Sequence, residues 1–97
     1  MAEELPKGIF DPELEEQTTI TLPFRVVLFN DDWHSFDEVI VQLMKATMCT
    51  FEAARGYAFE VHVRGKAIVY SGDISKCLRV SSVLEEIALH TQVISDE

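Results

Sequence analysis

Arg25–Met44 reads RVVLFNDDWHSFDEVIVQLM, and this run holds a strand, a turn and the start of a helix without interruption. Arg25–Phe29 (RVVLF) is a short β-branched and aromatic stretch bounded by Pro23 and by Asn30-Asp31-Asp32, which predicts a strand ending in a turn. Ser35-Phe36-Asp37-Glu38 has capping-box spacing, with Ser35 set to accept from the backbone N–H of Glu38. Phe36, Val39, Ile40, Leu43 and Met44 then recur at helical spacing and predict a helix over residues 36–48.

Working outward, Thr50 is placed to cap a second helix with Phe51, Ala54, Ala58 and Val61 on one side. Gly65 stops that helix, and Lys66–Tyr70 (KAIVY) reads as a strand closed by Ser71-Gly72-Asp73. A third helix follows with Val80, Val83, Leu84 and Ile87 as its apolar stripe, and Gln92–Ser95 supplies a short last strand. The predicted order is β-α-α-β-α-β. It describes a small single-domain α/β sandwich in which a three-stranded antiparallel sheet packs against three helices.

The chain of 97 residues has room for one domain and one core. Its first 24 residues hold all three prolines and six acids against Lys7, and they read as a flexible acidic extension with a helical turn near Asp11–Gln17. Residues 25–97 form the core domain. Cys49 and Cys77 lie far apart and outside any CxxC pattern, so they read as reduced, half-buried residues of a cytoplasmic protein. No apolar run approaches the length of a membrane span. The net charge of −9 repels phosphate backbones and argues against a nucleic-acid partner. An amine-bearing ligand is the natural complement of such a surface.

Reactive side chains gather in two places, Asn30-Asp31-Asp32-Trp33-His34 at the end of the first strand and Val61-His62 near the end of the second helix. Each has an ordinary structural explanation: Asn-Asp-Asp is a common turn sequence, and a histidine near a helix C-terminus complements the dipole. His90 is assigned that structural role. Asp31, Asp32, His34 and His62 are ligand types that suit zinc or iron, yet HExxH and paired-helix spacing are lacking, as is a base beside an activated nucleophile. No metal, cofactor or catalytic residue is therefore assigned.

The stretch RVVLFNDDWHSFDEVIVQLMKAT…FEAARGYAFEVHVRGKAIV resembles the core of the ClpS adaptor family, which pairs a VxLxNDD strand and turn with a VHxxGKA segment some thirty residues later. The resemblance covers about residues 24–93. It implies a non-enzymatic adaptor that binds proteins whose first residue is Phe, Tyr, Trp or Leu with a free α-amino group. Such an adaptor delivers them to a Clp-family ATPase of the ClpA or ClpC type. By the same resemblance Asn30, Asp31 and His62 bind the α-amino group, while Leu28, His34, Phe36, Val39, Ala58, Val61 and Val93 form the side-chain pocket. A protonated amine offers three donors and one charge, which suits two neutral acceptors and a carboxylate. His34 stands where the family commonly has threonine, and Phe36 and Ala58 where it has methionine. The alternative is a small interaction module like the ribosomal stalk C-terminal domain, similar in fold but without the two motifs. A metal-dependent hydrolase is a third.

Overall fold

The computed structural model describes residues 24–95. The acidic extension and its helical turn lie outside the described residues, apart from Phe24, which opens the first strand. The elements are β1 (Phe24–Phe29), α1 (Phe36–Thr47), α2 (Phe51–Arg64), β2 (Lys66–Gly72), α3 (Ile74–Glu85) and β3 (Thr91–Ser95). The expected β-α-α-β-α-β order holds, as does a three-stranded antiparallel sheet, with β1 in the centre and the order β2-β1-β3.

Strand alternation sends Val26 and Leu28 toward the helices, and both are fully buried. Ala67 and Val69 of β2 join them in a core closed by Ile40, Leu43 and Ala46 of α1, Ala54, Ala58 and Val61 of α2, and Cys77, Val80 and Leu84 of α3. Gln42 is the buried polar side chain of α1. Its Nε2 donates to the Val83 carbonyl at 2.6 Å, which satisfies one amide donor and ties α1 to α3.

Each helix starts on a side-chain cap. Ser35 and Glu38 form the full capping box, with bonds of 3.1 and 2.8 Å. Thr50 accepts from Ala53 N–H and Asp73 from Lys76 N–H. At the C-terminus of α2, Gly65 has φ 90° and its N–H donates to the Val61 carbonyl at 2.8 Å. That left-handed conformation is the one glycine adopts without a Cβ penalty.

The structure corrects several details. β2 runs on through Ser71 and Gly72, because these residues still pair with Arg25 and Phe24. β3 begins at Thr91, which pairs with Leu28. α3 ends at Glu85, so Ile87 belongs to the α3–β3 loop, and Cys77 takes a place on the helix's buried stripe. Phe51 is exposed and leaves the core face of α2 to Ala54, Ala58 and Val61. Cys49 is half-buried as expected, but Cys77 is fully buried; burial pushes its thiol above the ordinary value, and the thiol lies 3.7 Å from the Gly72 carbonyl.

Candidate N-terminal-residue site

The end of β1 brings the two reactive patches together. The Phe29 N–H donates to His90 O at 3.0 Å, and the Asn30 N–H donates to Gly65 O at 2.9 Å. The second bond fastens the Asn-Asp-Asp turn to the residue that terminates α2, one turn beyond Val61 and His62. The two motifs, some thirty residues apart in sequence, are thus joined by this bond and by the pairing of Leu28 with Ala67 and of Phe29 with Lys66 in the sheet.

Between them lies a concavity of about 490 Å³, lined by Asn30, Asp31, Asp32, His34, Phe36, Val39, Ala58, Val61 and His62. One lip is polar: Asn30, Asp32 and His62 are exposed there, with Asp31 and His34 partly covered. The apolar wall is built from Val61 and Ala58 of α2, at 4% and 2% exposure, and half-buried Val39 of α1. Phe36, the first residue of α1, stands 41% exposed at the rim. The i, i+3, i+4 spacing of Ala58, Val61 and His62 explains why one helix supplies both wall and lip.

Asp31 organises the turn. Its Oδ1 accepts from the Trp33 N–H at 2.9 Å and the His34 N–H at 3.0 Å, and its Oδ2 lies 2.8 Å from His34 Nδ1. Partial burial pushes the Asp31 carboxyl upward. The bonds from His34 and Trp33 outweigh that effect and hold it below the usual aspartate value. For His34 the bond to Asp31 raises the imidazole, against the opposing effect of burial, and the Ile87 carbonyl and the charges of Asp31 and Glu38 add to the rise. The other ring nitrogen, Nε2, contacts the Ile87 carbonyl. Both nitrogens of His34 are therefore engaged within the protein, which takes this ring out of any set of metal ligands. Among the described residues no group of three or more His, Cys, Asp or Glu side chains is placed to hold a metal ion.

Eight of the ten expected pocket and amine-site residues thus line one concavity: Asn30, Asp31, His62, His34, Phe36, Val39, Ala58 and Val61. Leu28 and Val93 do not. Leu28 is 0% exposed, with its side chain on the helix side of the sheet in the middle of the core. Val93 pairs with Val26, and at about 3.3 Å per residue this places it roughly 13 Å along the sheet from Asn30. Asp32 lines the concavity without having been assigned to the amine site; the Asn-Asp-Asp motif itself was the signal. His90 packs its ring against Phe29, with centroids 4.9 Å apart, in keeping with a structural role.

A family model described as "ATP-dependent Clp protease adaptor protein ClpS" matches residues 20–93. The ATP-dependent Clp protease adapter protein ClpS of Wolinella succinogenes is 30% identical over 94 residues, which cover 91% of this chain and 92% of that protein. The chain belongs to the ClpS adaptor family. That family, and not a stalk-type docking module, is the one whose paired motifs the chain carries. Human E3 ubiquitin-protein ligase UBR2 is 40% identical over 58 residues, 60% of this chain. The matched region amounts to 3% of that ligase's length. The fold is also that of Agrobacterium tumefaciens ClpS2 bound to L-phenylalaninamide, with a TM-score of 0.66 at 19% identity over 78% of this chain and all of that one. No helix among the described residues is long and apolar enough to cross a membrane.

Proposed function

We propose that the concavity holds the first residue of a substrate protein, with its ammonium at the polar lip and its side chain against the apolar wall. Asn30 offers an amide oxygen, neutral His62 a ring nitrogen, and Asp31 a negative charge. Phe36, Val39, Ala58 and Val61 contact a bulky apolar side chain, and His34 closes the wall between turn and loop. The observation that carries this reading is that Asn30, Asp31 and His62 line the same concavity of about 490 Å³ as Phe36, Val39, Ala58 and Val61. L-phenylalaninamide, held by the structural neighbour, combines a free α-amine with a phenyl group, the two features these halves would recognise. Side chains without an amine, or amines without a bulky side chain, leave one half of the site unmatched.

Phe, Tyr, Trp and Leu are the first residues that fit, and the partner that receives the captured protein is a Clp-family ATPase of the ClpA or ClpC type. The chain performs no chemistry of its own on the substrate. The test is a panel of short peptides identical except at their first residue, titrated against the full chain. Binding confined to bulky apolar first residues supports the reading; equal binding of peptides starting with Gly, Ser or Glu overturns it.

A further inference from the structure

The side chain of His34 links the amine-binding turn to the α3–β3 loop. Its Nδ1 lies 2.8 Å from Asp31 Oδ2 in the amine-binding turn, and its Nε2 meets the carbonyl of Ile87 in the α3–β3 loop. Its side chain is only 12% exposed, and that of Asp31 17%. Carboxylate and carbonyl oxygens are both acceptors, so each of these bonds needs a proton on the ring nitrogen it meets. A neutral imidazole carries one such proton; only the imidazolium satisfies both bonds at once.

We propose that His34 is the positioning residue of the amine site: as an imidazolium strut from Asp31 to Ile87, it holds the Asn30-Asp31-Asp32 turn in its binding geometry. The inference rests on the reading of the concavity as an amine site and adds a residue to it that touches Asp31 and acts through it. Three of the approximately four acceptor positions of the Asp31 carboxylate are taken by Trp33 N–H, His34 N–H and the His34 ring. Asp31 therefore acts on an incoming ammonium mainly through its charge and through the turn it shapes. When His34 loses its proton, one of the two bonds is replaced by two opposed lone pairs, and the turn is released from either Asp31 or the loop. The charged groups around the ring act in one direction. Asp31 on the turn and Glu38 on α1 favour the imidazolium, as does the Ile87 carbonyl; Asp32 and His62 line the same concavity.

The experiment compares the full chain with His34→Asn and His34→Ala, each titrated with a peptide starting with Phe between pH 6 and pH 9 or so. The amide nitrogen of Asn takes the place of Nδ1, keeping the bond to Asp31 without a titrating proton. The peptide amine loses its own proton at about 7.7–8.0, a loss common to all three proteins, so the wild-type to His34→Asn ratio isolates the strut. The expected result is a ratio that falls with rising pH, with His34→Ala weaker than wild type about tenfold or more at pH 6. Ring resonances of the peptide-free wild type should titrate above the ordinary histidine range, a readout that stands even if a variant fails to fold. A pH-independent ratio, or a ring that titrates at or below that range, overturns the proposal. Loss of all wild-type binding to the Phe peptide would instead overturn the amine-site reading beneath it.

Discussion

Replacing Ala58 by Met tests whether the wall of the concavity sets the choice among bulky first residues. Ala58 is 2% exposed and sits on the core-facing side of α2, one turn before His62. Its methyl is the whole of its contribution to a space of about 490 Å³. A methionine there adds a flexible thioether arm that has nowhere to go but into that space, because the opposite direction is packed core. Phe36 at the rim is planar and stiff, so it can stack on an aromatic ring but cannot move to make room. A methylene-scale change in an apolar pocket is worth about 1–3 kcal/mol. We expect the Phe-starting peptide to lose about 1.4 kcal/mol, or tenfold in affinity, while the Leu-starting peptide changes less or gains. The assay is calorimetric or fluorescence titration of both peptides against wild type and variant, with melting curves to show that the variant is folded. If the two affinities shift together, or if Leu is already the better ligand in the wild type, Ala58 does not set the preference.

Further outcomes follow from the turn and the helix terminus. Asp31→Ala should weaken peptide binding by more than about 2 kcal/mol, since it removes both the charge and the bonds that shape the turn; Asp31→Asn keeps an acceptor for the backbone N–H groups, and equal affinity of that variant with wild type would show that the charge is not used. Gly65→Ala should cost about 1 kcal/mol of stability from its φ of 90° alone, because no atom lies within 4 Å of the added Cβ, and a lowering of the melting temperature by roughly 4–8 °C is the check. Asp31 and His34 also make stability depend on pH in opposite senses. The lowered Asp31 pKa contributes stability above its ordinary 3.8 that is lost as pH falls through the folded value; the raised His34 pKa contributes stability below its ordinary 6.5 that is lost as pH rises through the folded value. Urea midpoints should therefore be highest between those limits, and His34→Asn should remove the alkaline loss.

The fold was legible because its signals are local. The Ser35–Glu38 capping box, the 3.6-residue spacing of Ile40 and Leu43, and the stop at Gly65 each need only a few neighbouring residues to be read. Strand ends were less so. Ser71 and Gly72 carry turn chemistry in sequence, and only their partners Arg25 and Phe24 keep them in the sheet. The two site motifs were visible as a pair by resemblance, while their physical links, the β1–β2 pairing and the bond from Asn30 N–H to Gly65 O, are tertiary contacts. Leu28 and Val93 show the opposite failure: an apolar residue near a binding motif reads as pocket until strand alternation and register place it in the core or too far along the sheet. The role of His34 was out of reach, because the Ile87 carbonyl it meets lies 53 residues away in a loop that the apolar stripe had assigned to a helix.

The central claim is that this site recognises a free N-terminal residue, and a pair of peptides tests it most directly. Both begin with Phe and share one sequence, and they differ only in acetylation of the α-amine. Acetylation deletes the charge and leaves a single donor, so Asn30, Asp31 and His62 would face a group that cannot satisfy them. The account predicts saturable binding of the free peptide to the full chain and a loss of at least about 100-fold for the acetylated twin, as expected when buried polar groups are left unpaired. Equal affinity for the two peptides would contradict it.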